Sequence, residues 1–406
     1  MNEIFFEKVR EYSIVFANRF KRKEFGESQG FGVRSLKNRK IGFSYCSKED
    51  ELERAIEKAE EISACSPSSD FSFQKKSKYP KLKIVDRKAN GIDANELRDM
   101  VEGLQDSMKG VENKRIQLSC SSSTARLEQE ELGVDASYDK TVFSIYAEAT
   151  VKRGIGFEIY SSNFLPKSDK MEEIGEKASE TARKMDGAKK PKTGKHRLVF
   201  DIDAIGDLIN ILLPSFSGDW KRKKISNISD KLGATVFDEK LTILDDPSLT
   251  SSARPFDDEG TVSRKRSLVE NGVVKGFMYD RETAALEGIS GEGFCARQNF
   301  MSPPGISSCT LTIKEGDLKS VDELGSYILV KSVHGTHTAN STTGDFGVEA
   351  NIAFHKKGNE LLPVRGFMIT GNIFEMFRNI EGLEKERHER DGLVSPRIAF
   401  NDIVIV

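Results

Sequence analysis

The sequence lacks the patterns that identify several common classes of enzyme. No Gly-x-Ser-x-Gly elbow precedes a candidate serine nucleophile, and no Cys–His pair stands out. The glycine-rich run Gly288–Gly293 has the wrong spacing for a dinucleotide-binding fingerprint, and no phosphate-loop lysine follows it. These absences argue against a serine or cysteine hydrolase and against a nucleotide-binding protein.

Paired cysteines, excess charge and long apolar runs are also missing. The five cysteines form no Cys-x-x-Cys pair, and an odd number would leave one thiol unpaired in an oxidising compartment, so we expect a cytoplasmic location. Residues 1–12 lack the apolar core of a secretion signal, and aspartates interrupt the longest apolar stretch, 198–213, which therefore predicts no membrane span. A net charge of -2 and two short basic runs, 21–23 and 221–224, favour no direct contact with nucleic acid.

The length of 406 residues is sufficient for two domains. The polar segment 186–195 contains both glycine and proline, and we place the domain boundary there. The first domain then covers residues 1–190 and the second covers 191–406. Another polar stretch, 66–78, predicts a surface loop within the first domain.

Three apolar stripes in the first domain recur at helical spacing, and two segments, 143–149 and 155–159, alternate with the period of a strand. Helices interleaved with strands predict an N-terminal mixed α/β sandwich, in which each stripe packs on a sheet. The stripes are Leu52, Ala55, Ile56, Ala59 and Ile62; Leu97, Met100, Val101, Leu104 and Met108; and Met171, Ile174, Ala178, Ala182 and Met185.

The second domain is predicted to be rich in strands. Asp203 is a candidate cap for a helix that ends at Pro214, and Asn271-Gly272 predicts a type I′ hairpin because both residues tolerate positive φ. A short helix is expected after Asn372. Since hairpins dominate, we predict an α+β fold with a C-terminal antiparallel sheet. The expected strands are 197–202, 328–333, 349–354, 362–369 and 397–405.

Two histidines, His334 and His337, lie close to Asp345 in a glycine-punctuated loop. Neutral imidazoles suit zinc, and Asp345 or His355 could complete a site. However, residues three apart on a strand face opposite sides of the sheet, so only a curled loop would bring the two rings together. We therefore favour hydrogen-bonding roles in a loop or interface over a metal site.

The turn Asp257, Asp258 and Glu259 places three carboxylates together. Such crowding raises a pKa for acid–base work or holds a hard cation. The simpler interpretation is a charged turn that Arg254 and Arg264 neutralise, and we favour it.

Taken in order along the chain, these motifs resemble the TldD/PmbA family of zinc peptidases and their metal-free relatives. The shared segments are Gly30–Arg34, Gly42-Phe43, Thr242–Pro247, Asp257–Gly260, Gly291-Glu292-Gly293 to Arg297, the loop His334–Gly347 and Gly371-Asn372. Each motif is weak alone, but their order is specific and spans most of the chain.

In the catalytic branch of this family, a helix carries His-Glu-x-x-x-His, which binds zinc and activates water. Gly218-Asp219 of this chain matches the pair that follows that helix. Counting back from Asp219 places Ile209, Asn210 and Pro214 where the first histidine, the glutamate and the second histidine would stand. None of the three can take over the lost role. The catalytic branch also supplies a cysteine near its C-terminus, and the corresponding segment 391–397 contains none.

The resemblance therefore implies a non-catalytic PmbA/TldE-type subunit of a zinc peptidase complex that cleaves unfolded or flexible peptides. We expect no cofactor in this chain, zinc on a TldD-type partner, and no direct nucleic-acid or membrane contact. The alternatives are a free-standing hydrolase with a site rebuilt around His334 and His337, or a homodimeric peptide-binding scaffold. Residues expected at a cavity or interface are His334, His337, Asn340, Asp345, Phe346, Asp257, Asp258, Glu259, Arg297 and Asn372.

Overall fold

The computed structural model describes residues 1–18, 20–291 and 293–406, and the side chain of Phe20 is left out. Glu292, within the Gly291-Glu292-Gly293 motif, lies outside the described residues.

The N-terminal half is a six-stranded antiparallel sheet in the order β3-β2-β1-β4-β5-β6, with helices packed on one face. Its strands are β1 (Asn2–Ala17), β2 (Phe20–Lys37), β3 (Lys40–Cys46), β4 (Asn113–Gln129), β5 (Val134–Val151) and β6 (Gly154–Ser162). Its helices are α1 (Leu52–Cys65), α2 (Arg87–Asn90), α3 (Ala94–Ser107) and α4 (Ser168–Met185).

The predicted helical stripes pack on this sheet, which confirms the α/β sandwich. The α3 helix begins with a capping box in which Asp93 accepts from the Glu96 backbone and the Glu96 side chain accepts from the Asp93 backbone. One member of the first stripe, Ile62, is 40% exposed, because the buried side of α1 runs through Ala55, Ala59 and Ser63. The loop predicted for residues 66–78 buries Phe71 and Phe73, so it is not simply a surface segment.

Glycine makes the contact between β6 and α4 possible. A Cβ atom at Gly154 would lie 2.0 Å from the carbonyl oxygen of Ala182, and one at Gly156 would lie 2.3 Å from that of Ala178. The helix therefore rests directly on the strand backbone at these positions, and Ile155, Phe157 and Ile159 point to the opposite face of the sheet.

The C-terminal half contains most of the shorter elements. Its strands are β7 (Gly194–Phe200), β8 (Ile243–Asp245), β9 (Arg266–Glu270), β10 (Val273–Val274), β11 (Cys295–Ala296), β12 (Gly305–Ile306), β13 (Leu311–Ile313), β14 (Tyr327–His334), β15 (Asp345–Lys357), β16 (Glu360–Val364), β17 (Met368–Asn372), β18 (Ile380–Arg390) and β19 (Leu393–Ile405). Its helices are α5 (Ile202–Leu212), α6 (Gly218–Arg222), α7 (Arg281–Leu286) and α8 (Ile373–Arg378). Among the helices that the structure describes, none has both the length and the apolar character needed to cross a bilayer.

Five strands of this half close into a barrel in the order β19-β17-β15-β14-β7, because β7 pairs with both β14 and β19. Most pairings are antiparallel, as predicted, but β7–β14 and β13–β19 are parallel. Closure removes the free edges that an open sheet would expose. The α5 helix packs against β14 and β19 with its apolar side in the main core.

Local sequence signals locate several turns correctly and others incorrectly. Asn271 and Gly272 have φ values of 49° and 76°, which confirms the type I′ hairpin. The cap of α5 is Asp201 rather than Asp203, since the Asp201 carboxylate accepts from the backbone N–H of Ile202 at 3.0 Å. The segment 362–369 is not one strand, because the chain turns at Gly366 with φ of 71° between β16 and β17.

A buried ion network joins the two halves. Arg34 on β2 donates to both carboxylate oxygens of Glu3, at 2.8 and 2.9 Å, and to Glu259 at 2.6 Å. All three residues are at most 3% exposed, and the guanidinium also lies 5.2 Å from the ring centre of Phe71 and 5.4 Å from that of Phe73. A buried charge is tolerated when it is paired and hydrogen-bonded, so Arg34 fixes the position of the two halves.

Replacing Arg34 by Met should therefore be strongly destabilising. The change keeps an unbranched apolar stem but leaves Glu259 buried without a counter-ion and Glu3 with Arg297 alone, at 3.3 Å, so we expect a loss of about 3–5 kcal/mol in the free energy of unfolding. Urea denaturation measures it. The control Arg98→Met removes an exposed arginine that pairs with Asp99 at 3.3 Å and should cost less than about 0.5 kcal/mol. Equal losses in the two variants would contradict the assignment.

Candidate functional site

A cleft of about 830 Å³ lies between the N-terminal sheet and the barrel. One wall consists of Ile155, Phe157 and Ile159 on β6, beside Tyr146 and Glu148 on β5. The alternating pattern of residues 155–159 predicts a strand correctly. Its apolar residues line this cleft, and Ile155 and Phe157 also pack against a small buried cluster that includes Met185 of α4. The size and the apolar lining are those of a small-molecule or peptide site.

The floor of the cleft is one face of α5. Asp203, Asp207 and Asn210 are spaced by four and three residues, which places them on the same side of the helix, and Ile209 borders the same space. Pro214 belongs to the 3-10 turn Leu213–Phe216 that follows the helix, and it is not among the residues that line the cleft.

A third wall comes from the end of β14 and the turn after it. Ser332, His334 and His337 line the cleft, so the two imidazoles lie in the same space as Ile209 and Asn210. Gly335, with φ of 95°, allows the chain to leave the strand for the 3-10 turn Thr336–Thr338. Both histidines are exposed to the cleft or to solvent.

The remaining candidates in this loop stabilise it internally. Asn372 donates to the Asp345 carboxylate at 2.9 Å and to the Thr343 carbonyl at 2.8 Å. Asn340 accepts from the backbone N–H groups of Thr342 and Thr343, at 3.0 and 3.1 Å. Phe346 is only 6% exposed and belongs to the core. These residues set the shape of the loop that carries the two histidines.

The acidic turn lies apart from the cleft. Glu259 accepts from Arg34 and, at 2.7 Å, from the backbone of Arg281, while Asp258 accepts from the backbone of Arg297 at 2.6 Å. The turn is neutralised as expected, and Arg254 lies 3.8 Å from the Asp258 carboxylate as predicted, but Glu259 is paired with Arg34 from the other half of the chain and not with Arg264. Sequence separation hides this pairing, since the two residues are 225 positions apart.

One group of potential metal ligands occurs beside that turn. Single ligand atoms of Asp257, Glu259 and Cys295 lie within 4.8 Å of one another, and no other such group of three exists among the residues that the structure describes. All three are buried, and burial together with the charge of Glu259 raises the pKa of Asp257. The group is separate from α5 and from the cleft.

The α5 face does not fit a zinc ion. Ile209 has no donor atom, and the Asn210 amide is a poor substitute for a glutamate base. Pro214 has no side-chain donor and lies outside the cleft. These residues therefore provide no ligand set for a metal-dependent catalytic step at this position.

Asp207 is the cleft residue that sequence analysis missed. Burial, followed by the charge of Asp203, raises its pKa to about 6, and His334 partly opposes the shift. Its position three residues before Asn210, on a helix with a capping residue, was the sequence feature that could have identified it as a neighbour of Asn210. The neighbouring Asp203 is instead paired with Arg390, which donates to both of its oxygens at 2.6 and 3.2 Å.

Asp207→Asn should stabilise the protein at neutral pH. Since the folded state holds the Asp207 proton more tightly than the unfolded chain does, the free energy of unfolding falls as the pH rises from about 4 to about 6. The amide removes this cost, so we expect a gain of about 1 kcal/mol at pH 7, allowing for solvent screening, and none below pH 4. Thermal unfolding across this pH range measures it. Asp230→Asn, at a side chain 80% exposed, is the control, and a gain independent of pH would contradict the prediction.

Comparison with known proteins gives the family. The model of the PmbA/TldA metallopeptidase C-terminal domain matches residues 193–406, and that of domain 1 matches residues 3–63. A Methanocaldococcus jannaschii protein of uncharacterised function is 31% identical over 94% of this chain and 90% of its own length. A Methanothermobacter thermautotrophicus protein named metalloprotease is 25% identical over 88% of this chain and 82% of its own length.

Solved structures agree on the fold. TldE of Thermococcus kodakarensis is 22% identical, with a TM-score of 0.87 over 100% of this chain and 96% of its own. A Thermotoga maritima protein described as a candidate modulator of a DNA gyrase is 22% identical, with a TM-score of 0.88 over the same shares of the two chains. The chain therefore belongs to the PmbA/TldD metallopeptidase family.

Proposed function

We propose that this chain is a non-catalytic, cytoplasmic PmbA/TldE-type subunit that pairs with a zinc-bearing TldD-type partner in a peptidase complex. The observation that carries the proposal is the chemistry of α5, where Ile209, Asn210 and Pro214 replace the histidines and the glutamate of a zinc peptidase. A peptide-sized cleft is kept while the hydrolytic groups are lost. Such a chain can bind a substrate and form part of a reaction chamber without performing the chemistry itself.

The edge of the N-terminal sheet supports a role in handling extended peptides. The β6 strand is the last in the sheet order, and it borders the cleft through Ile155, Phe157 and Ile159. An extended peptide can add to such an edge through main-chain hydrogen bonds, with its side chains in neighbouring pockets. Binding of this kind places few demands on sequence, which suits unfolded or flexible substrates.

A second candidate is a hydrolase that acts alone with a rebuilt site. It is favoured by a specific observation: His334 and His337 border the same cleft as Asp207, so a base and a carboxylate are available there. This candidate requires cleavage by the isolated chain, whereas the subunit requires a partner.

Co-expression with a TldD-type protein separates the two candidates. We expect a single species in size-exclusion chromatography, zinc in proportion to the TldD-type chain alone, and cleavage of an unfolded protein only by the pair. The control is a partner whose His-Glu-x-x-x-His glutamate is replaced by glutamine, which should still pair but should not cleave. Two separate peaks, equal zinc on both chains or cleavage by the isolated chain would each contradict the subunit proposal.

His337→Ala tests whether the histidine loop contributes to the shared chamber. If the ring contacts the partner or the peptide, its loss should weaken pairing or reduce kcat/KM by about tenfold, the effect of one or two lost hydrogen bonds. The control is His196→Ala, because that ring lies outside the cleft and contacts the Lys192 carbonyl and His355. Unchanged pairing and unchanged cleavage in His337→Ala would remove the loop from the site.

A further inference from the structure

Two polar side chains that line the cleft form no hydrogen bond with the residues that the structure describes. The Ser332 hydroxyl is buried, with the residue 4% exposed, and no described residue lies within hydrogen-bonding distance of it. Asp207, on the facing helix, forms neither a hydrogen bond nor an ion pair with any part of the chain that the structure describes. Buried polar groups are almost always satisfied, so the Ser332 hydroxyl points to a group that enters from outside, and the partly buried Asp207 carboxylate borders the same cleft.

The charges that line the cleft are mostly of one sign. Four carboxylates, those of Glu148, Asp203, Asp207 and Asp391, face one guanidinium, Arg390, which is already paired with Asp203. Asp391 accepts from two serine hydroxyls and Glu148 from the Tyr146 hydroxyl, and these neutral donors leave the negative charges in place. Low-dielectric walls focus such a field and attract cations.

The arrangement fits an organic cation better than a metal ion. A metal needs ligand atoms gathered around one point, and the only described group that meets this condition lies outside the cleft. Here the carboxylates are spread over three walls, and apolar side chains such as Phe157, Leu213 and Leu393 fill the space between them. Lysine and arginine side chains are complementary to this lining. Each has an apolar stem that suits the apolar residues and a positively charged tip that suits a carboxylate.

The aromatic wall is consistent with this. Tyr146 and Phe157 stack with ring centres 6.0 Å apart, and the guanidinium of Arg115 already lies 6.0 Å from the Tyr146 ring. An incoming cation could therefore contact an aromatic face on one side and a carboxylate on the other.

We propose that the cleft binds a cationic group of a peptide, an ammonium or a guanidinium, with Asp207 as its counter-ion and the Ser332 hydroxyl as a hydrogen-bond acceptor. The proposal rests on the peptide-handling function and names the substrate chemistry that this chain selects. The cation is supplied either by a lysine or arginine side chain or by the free amino terminus of a peptide.

Isothermal titration calorimetry on the isolated chain tests the proposal with three pentapeptides. The first is blocked at both ends with a central lysine, and the second has norleucine in its place, which keeps the stem and removes the ammonium. The third has the norleucine but a free amino terminus. We expect the lysine peptide, the free-amine peptide or both to bind at least about fivefold more tightly than the neutral one, and this preference should shrink at high salt. The tighter of the two identifies the source of the cation.

Asp207→Asn should abolish the preference, so that the variant binds all three peptides with affinities equal within about twofold. Ser332→Ala should weaken binding of the cationic peptides by a smaller factor. Asp230→Asn, the same chemical change at an exposed position outside the cleft, should keep the full preference. Equal affinity for all three peptides in the natural chain, a preference that survives in Asp207→Asn, or no measurable binding at about 1 mM peptide would overturn the proposal.

Pairing with the TldD-type partner is measured on the same variants. If the chain prefers the cationic peptides but does not pair with the partner, the cation site is supported and the subunit function is contradicted. If the chain pairs normally but shows no preference for the cationic peptides, the cation site is contradicted and the subunit function is supported.

Discussion

The buried contact of Arg34 with Glu3 and Glu259 is the interaction on which the rest of the structure depends. Both halves contribute walls to the cleft, since β5 and β6 come from the N-terminal sheet and α5 and β14 come from the C-terminal half. A small apolar cluster that includes Phe5, Leu127 and Phe256 also crosses this boundary. The ion pairs fix the relative orientation of the two halves in addition to that apolar contact, because a guanidinium bonded to two carboxylates tolerates little displacement.

With the two halves held in place, the side chains of α5 determine what the cleft can bind. Ile209 adds apolar surface, while Asp207 and Asn210 leave polar groups facing the cleft. Under the proposed function, the helix serves as a binding surface. The cost of keeping a half-buried carboxylate is one that functional sites commonly carry, since stability and function often conflict.

The sequence predicted those features that depend on neighbours along the chain. The α3 stripe, the Asn271-Gly272 hairpin and the α/β sandwich all follow from periodicity and turn chemistry, and the structure confirms them. The resemblance also identified α5 and the histidine loop as parts of a candidate site, and both line the same cleft in the structure.

Features that depend on distant contacts could not be predicted in this way. Barrel closure requires β7 to pair with β19 about two hundred residues later, and no local pattern encodes that register. The Arg34–Glu259 pair could not be predicted for the same reason. Arg264 was the wrong choice of partner because only its closeness in sequence supported it. The cleft face of β6 was also ambiguous, since Ile155 and Phe157 alternate as core residues do.

The glycines of β6 have a consequence for how this protein can diverge from its relatives. Because Gly154 and Gly156 bring α4 against bare backbone, this part of the strand holds the helix without side chains of its own. On the opposite side, Ile155 and Phe157 also pack against Met185, Ile352 and Phe354, whereas Ile159 is 37% exposed where it borders the cleft. Position 159 is therefore where a point mutation can change peptide selectivity at the least cost to the scaffold.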